Sequence, residues 1–213
     1  ERVGIDYLKR FAADYDLNSG NHYVPYKKPS TGKKAAVIGA GPAGLSCAFY
    51  LAKEGHDVTI FERWPKGGGM LRYGIPEYRM PKATLDKEID TIKELGVEIQ
   101  YEKTFGVDVT YESLKKDGYD AIFLGVGSQV GQPIGCEGEA CPMGVYSGVD
   151  FLGRVGLGHN IDLSGKHVVV IGGGNTAIDA SRTALRLGAE KVTIAYRRTK
   201  KEMPAHEMEI EEA

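Results

Sequence analysis

Apolar residues along this chain follow two patterns. Short apolar runs, "AAVI" from Ala35, "VTIF" from Val58, "AIFLGVG" from Ala121, "VVVI" from Val168 and "VTIAY" from Val192, are compact enough to read as strands. A further strand is expected over Val97–Tyr101. Elsewhere the apolar positions recur at helical spacing. Ile5, Leu8 and Phe11 share one face of "GIDYLKRFAADYDL", and Leu85, Ile89, Ile92 and Leu95 share another. Helices are also expected over Pro42–Glu54, Tyr111–Lys116, near Val149–Gly153, after the second glycine turn, and after Pro204 in the charged tail. "NSGNHYVPYKKPSTGKK" breaks periodicity with Asn, Gly, Pro and Lys and reads as a linker. The segment from Arg63 to Lys82 is a long irregular stretch rich in Gly and Pro, a kind of loop that is often functional. Residues 128–148 are turn-rich.

The alternation of strand and helix predicts an α/β fold, and two strand–turn–helix–strand units stand out. In the first, Gly39, Gly41 and Gly44 form G-x-G-x-x-G directly after a strand. The first glycine allows the tight turn, the second lets backbone approach a pyrophosphate, and the third lets helix and strand pack closely. The following helix offers free N–H groups and a partial positive charge. Glu62 ends the next strand, where a carboxylate accepts hydrogen bonds from ribose hydroxyls. That contact suits the adenosine of either NAD or FAD. A flavin needs a longer lining, which "KGGGMLRYGIP" can supply.

The second unit carries Gly172, Gly174 and Ala177, the G-x-G-x-x-A variant. Its second strand is followed not by an acid but by Arg197 and Arg198. An acid repels the extra phosphate of NADPH, whereas arginine pairs with it. Selectivity for NADPH is therefore expected here; a solvated surface pair is the competing reading. Asn175 and Thr176 lie at the mouth of the turn. Asp179 reads equally well as an exposed acid near the helix start.

Composition changes little. The net charge is −2, with 27 basic and 29 acidic side chains, so no electrostatic case exists for nucleic acid or membrane binding. No apolar run is long enough to cross a bilayer, and a cytoplasmic setting is expected. The three cysteines make no disulfide framework: Cys47 reads as a core residue, and Cys136 and Cys141 sit in a Gly/Pro-rich loop. The scattered histidines have no metal-ligand spacing, so no metal site is expected.

The two fingerprints in this order, with "GGGMLRYGIPEYRMPK" between them and "AYRR…EMPA" after, resemble the NADPH-dependent, FAD-containing small subunit of glutamate synthase. Related flavoprotein modules occur in dihydropyrimidine dehydrogenase and NADPH-ferredoxin bifurcating enzymes. The resemblance implies a Rossmann-like flavoprotein with two dinucleotide-binding domains, the second incomplete. It implies FAD at Gly39, Ala40, Gly41, Ala43 and Gly44, with Glu62 and Arg63 at the adenosine end. Gly68, Gly69, Met70 and Arg79 would continue along the flavin cofactor, Phe105 would meet adenine through its backbone, and Gly125 and Gly127 would return near the pyrophosphate. NADPH would lie at Gly172, Gly173, Gly174, Asn175, Thr176, Arg197 and Arg198. No catalytic side chain is nominated, since the flavin supplies the chemistry.

The expected division is an N-terminal helix and linker over 1–32, an FAD-binding part over 33–148, and the start of an NADPH-binding part over 149–213. Because the chain opens on Glu1 and stops soon after its second unit, it is expected to be a segment of a larger electron-transfer flavoprotein. Its partners would be an iron–sulfur domain or subunit and a larger catalytic subunit. The alternative is a nucleotide-binding or assembly module without turnover of its own. A dehydrogenase using NAD at both sites is disfavoured, because no catalytic His, Tyr-Lys or metal constellation is present.

Overall fold

The structure, a computed structural model, describes residues 3–141 and 143–213. It forms two compact units: Glu1–Gly67 with Ala83–Val126, and Gly68–Lys82 with Gly127–Ala213.

The first unit opens with α1 (Ile5–Asn18) and continues through β1 (Lys34–Ile38), α2 (Pro42–Lys53) and β2 (Asp57–Phe61). After α3 (Met70–Tyr73), which belongs to the second unit, come α4 (Lys82–Glu94), β3 (Glu98–Gln100), α5 (Tyr111–Lys116) and β4 (Ala121–Leu124). The sheet is parallel in the order β3-β2-β1-β4. Central β1 is buried from Ala35 to Ile38, as a strand covered on both faces must be. On one side, Ala36, Ile38 and Phe61 pack with Val109 and Leu114, and Phe105 leans on the same cluster. Leu85, Ile89 and Leu95 are buried along the α4 region as their spacing predicts.

Helix α1 forms where expected, but its apolar face is not buried. Ile5, Leu8 and Phe11 are 63%, 60% and 71% exposed. Local periodicity and the Arg10–Asp14 pair can shape a helix, but burial needs a neighbour that these elements do not supply. The segment read as a linker is tied down. Lys28 N–H donates to Lys53 O at 2.9 Å, and Thr31 N–H donates to Gly55 O at 2.9 Å. Gly55 is required there, since a Cβ would fall 2.1 Å from Pro29 O.

The second unit holds α6 (Gly148–Gly156), β5 (His167–Ile171), α7 (Asn175–Arg186) and β6 (Lys191–Ala195), then a 3-10 turn (Lys200–Glu202) and α8 (Glu207–Glu211). Strands β5 and β6 pair in parallel from His167↔Lys191 to Ile171↔Ala195. Val168, Val170 and Val192 pack on Phe151, Leu152, Ala180 and Ala184, while Val169 and Ile171 on the other face are exposed. Stretch 68–82 belongs here because α6 comes very close to it: a Cβ on Gly156 would lie 3.0 Å from Tyr73 Cα. The structure thus draws the division differently from the expected cuts at 32 and 148. Backbone hydrogen bonds hold residues 28–31 in the first unit. Contacts at Gly156, and at Gly131 against Ser147, gather 68–82 and 127–148 into the second.

Candidate functional site

The first glycine turn is built for close approach. Gly39 adopts φ +100°, a region that favours glycine, and its N–H donates to Phe61 O at 2.8 Å. A Cβ there would sit 2.6 Å from Gly125 O, and Gly125 N–H in turn bonds Ile38 O. At Gly44 a Cβ would lie 1.8 Å from Gly39 O, so this position sets how tightly α2 seats on β1. Gly41 is the N-cap of α2, and Pro42 follows where no N–H is needed. Leu45 N–H to Gly41 O, at 2.9 Å, is the first bond of the helix. The amides of Ala43 and Gly44 precede it, among the helix-start donors that intrahelical bonding leaves over.

Glu62, expected at a ribose, is 4% exposed. Its Oε2 accepts Ala40 N–H at 2.7 Å, and its Oε1 accepts Trp64 N–H at 2.9 Å. The carboxylate thereby staples the glycine turn to the end of β2. Ala40, fully buried, spends its amide on Glu62, so the outward-facing donors of the turn begin beyond it. Each carboxylate oxygen keeps a second lone pair for a hydroxyl donor. Arg63 is exposed beside it, stacked 4.6 Å from the Trp64 ring.

The other residues expected at the first dinucleotide divide between the units. Phe105 and Gly125 lie in the first unit; Gly68, Gly69, Met70, Arg79 and Gly127 lie in the second. Gly68 and Gly69 both take positive φ, +121° and +51°, and cap the short helix that Met70 begins. Phe105 forms a bridge with Val109 and leans into the core. Arg79 is engaged by acids. Its Nη1 donates to both Asp179 oxygens, at 3.0 and 2.8 Å, and its Nε meets Glu209 Oε1 at 2.8 Å. Asp179 is therefore not the exposed acid that the sequence allowed. It is 4% exposed; burial pushes its carboxyl above the ordinary range, and Arg79 opposes that rise. Glu209 also takes Arg182 Nη1 at 2.6 Å, which anchors α8 to α7. The sequence signal for this network is weak: the run of glutamates in "EMEIEE" that opposes Arg79 and Arg182.

The second turn repeats the first with differences. Gly172 takes φ +138° and donates to Ala195 O at 3.0 Å. Gly173 is covered by the Tyr196 ring, which would lie 2.7 Å from a Cβ. Gly174, at φ −89° and ψ 173°, caps α7, and nothing lies within 4 Å of its Cβ position. The space beside this helix start is therefore open. Ala177 is buried and in ordinary contact with Gly172, so this turn seats its helix one methyl farther from the strand.

A strap that the sequence did not single out crosses this turn. Ala205 N–H donates to Gly173 O at 3.1 Å, and His206 N–H donates to Asn175 Oδ1 at 3.0 Å. Asn175 thus holds the strap with its oxygen, leaving its amide NH₂ for an anion. Thr176 is exposed at the helix start. Arg197 and Arg198 are exposed past the end of β6, followed by exposed Lys200 and Lys201, and Thr199 and Glu202 cap each other to shape that segment. The arrangement can hold two dinucleotide phosphates, one turn backed by a buried carboxylate and the other flanked by exposed cations.

Among the described residues no His, Cys, Asp or Glu cluster is arranged to hold a metal ion. Cys47 is half-buried rather than a full core residue, and Cys136 and Cys141 are exposed thiols.

Residues 33–213 match the family described as pyridine nucleotide-disulphide oxidoreductase. The chain is 46% identical to the NADPH-Fe(3+) oxidoreductase subunit beta of Geobacter sulfurreducens, across 100% of this chain and 32% of that protein. It is 41% identical to the glutamate synthase [NADPH] small chain of Escherichia coli (strain K12), across 99% of this chain and 46% of that protein. Among solved structures, Mycobacterium tuberculosis FprA in complex with NADPH superposes with a TM-score of 0.72 at 26% identity, over 87% of this chain and 47% of that one. The chain spans less than half the length of each of these proteins.

Proposed function

The chain belongs to the pyridine nucleotide-disulphide oxidoreductase family, and from that premise we propose that it forms the FAD- and NADPH-binding portion of an oxidoreductase. The observation that carries the reading is the contrast between the two glycine turns. One is closed by buried Glu62 and the other is followed by exposed Arg197 and Arg198. Bound together, the two cofactors supply hydride transfer from nicotinamide to flavin, followed by electron release.

The chain's own residues bind and orient. The α2 start and Gly41 receive the FAD pyrophosphate, and Glu62 offers its remaining lone pairs to the adenosine ribose. Gly174, Asn175 and Thr176 receive the second pyrophosphate. Arg198, with Arg197, pairs with the 2′-phosphate that distinguishes NADPH from NADH. Arg79 keeps one guanidinium nitrogen, Nη2, that its two acids leave over for an anionic group. Iron–sulfur clusters in a further domain or partner would take up the electrons and a larger catalytic subunit would use them, in a cytoplasmic setting. Among the described residues no helix is long and apolar enough to cross a membrane.

One observation favours the assembly-module reading: α1 leaves its whole apolar face exposed. Visible spectroscopy separates the two. Flavin bands in the purified protein, or their appearance on adding FAD, support the oxidoreductase; a colourless protein that takes up no FAD refutes it. Calorimetry tests the second turn. NADPH is expected to bind at least tenfold tighter than NADH, and Arg198→Glu to abolish that preference. Equal affinities in the parent protein refute the phosphate assignment.

A further inference from the structure

Within the second unit, α3, the stretch after it, α6 and the C-terminal half of α7 enclose a cavity of about 290 Å³. This is near the small end of the range for small-molecule pockets. It lies among residues that neither glycine turn uses. One wall is apolar, formed by Ile75, Leu152, Val155 and Leu187. The other is polar and cationic.

Thr183 is the telling residue. It is 6% exposed and lines the cavity, and its Oγ1 has no hydrogen-bond partner among the described residues. The Tyr78 hydroxyl lies near it without completing a bond. A buried hydroxyl left unpaired is costly, and native structures leave few of them. Arg186 and Lys82 line the same cavity, as does Arg72. The Arg186 guanidinium lies 3.9 Å over the Tyr78 ring and gives one N–H to Arg182 O at 2.9 Å; among the described residues no carboxylate pairs with it. Lys82 Nζ donates to Leu71 O at 2.9 Å and Ile75 O at 2.6 Å, which leaves one N–H of the three. Burial pushes the Lys82 amine below its ordinary range, and an incoming anion would oppose that shift. Glu77 also lines the cavity; its two oxygens accept the Lys82 backbone N–H at 3.1 and 3.3 Å, and its charge partly offsets the effect of burial on the Lys82 amine.

We propose that this cavity is a binding site for a small monocarboxylate with an apolar body, its carboxylate held by Arg186, Lys82 and the Thr183 hydroxyl and its body against Leu152 and Val155. The chemistry follows from the lining. An anion matches the two cations, a carboxylate oxygen accepts the unpaired hydroxyl proton, and the apolar wall excludes a fully hydrated ion such as phosphate. The site is separate from the dinucleotide turns, so its occupancy does not depend on the oxidoreductase reading.

The test is isothermal titration of the protein with benzoate and with its neutral isostere benzamide, at saturating NADPH so that the glycine turn is filled. One benzoate site is expected, with benzamide at least tenfold weaker. Thr183→Val and Arg186→Met should each weaken benzoate at least fivefold. Thr183→Val should also melt no lower than the parent, because it deletes a hydroxyl that has no partner, and this shows that the weakened binding is not unfolding. No benzoate binding at millimolar concentration, equal affinity for benzoate and benzamide, or affinity unmoved by both substitutions overturns the proposal.

Discussion

Replacing Gly44 with alanine tests whether the first turn depends on helix–strand contact. The added Cβ would lie 1.8 Å from Gly39 O, 3.0 Å from Gly39 C and 3.2 Å from Val37 Cγ1. Ordinary contact between a methyl carbon and a carbonyl oxygen is about 3.4 Å, so α2 must back away from β1 by roughly 1.5 Å at this point. The obstacle is backbone, which cannot swing aside as a side chain can. Overpacking of this kind costs about 1–3 kcal/mol, and the absence of a soft neighbour puts Gly44→Ala at the upper end. For a chain of this length, about 3 kcal/mol corresponds to a fall in Tm of roughly 6–12 °C. The assay is a thermal melt followed by circular dichroism, paired with FAD titration, because the displaced helix start also carries the phosphate-facing amides. The second turn supplies the control. Ala177 already bears the methyl there and is buried, so Ala177→Gly removes a packed group and a good helix former, costing about 1–2 kcal/mol. A Gly44→Ala protein that melts within about 1 °C of the parent and binds FAD unchanged would refute the close-packing argument.

Gly174→Ala has the opposite profile. Its Cβ meets nothing and its φ of −89° suits any residue, so stability should stay within about 0.5 kcal/mol while NADPH affinity falls at least tenfold; unchanged affinity by calorimetry would remove the pyrophosphate from this turn. Glu62→Ala strips the acceptor from two backbone N–H groups, one of them at buried Ala40, and should cost about 2–4 kcal/mol in urea unfolding, a loss under about 0.5 kcal/mol contradicting the staple. Asp120 accepts Lys34 N–H at 2.8 Å and Lys33 Nζ at 3.0 Å, and these bonds hold its carboxyl below the ordinary range. A lowered folded pKa stabilises above the unfolded value and loses that stabilisation as pH falls through the folded one. Asp120→Asn should therefore be less stable than the parent at neutral pH, with the difference closing below about pH 4. A difference that stays constant down to about pH 2, in melts across that range, would refute the assignment.

Much of the first unit's architecture could be read locally. A run such as Ala35–Ile38 followed by Gly39 leaves few alternatives to strand and turn, because glycine is needed wherever φ is positive or backbones nearly touch. Gly39 and Gly44 show both reasons at once. The charge contrast after the second strands is likewise visible, since Glu62, Arg197 and Arg198 occupy set distances from their turns.

By itself, then, the sequence determined the two strand–turn–helix–strand units, the α/β class and the residue types at each turn, because those depend on periodicity and backbone geometry within some thirty residues. Only tertiary structure decided which groups those residues meet. It bound Glu62, expected at a ribose, to the backbone N–H groups of Ala40 and Trp64. It buried Asp179 against Arg79, a hundred residues away in the chain, and laid the Ala205–His206 strap on Gly173 and Asn175. It also left the apolar face of α1 uncovered. Pairing over such distances depends on where the folded backbone brings groups together, and neither the spacing nor the type of a residue encodes that.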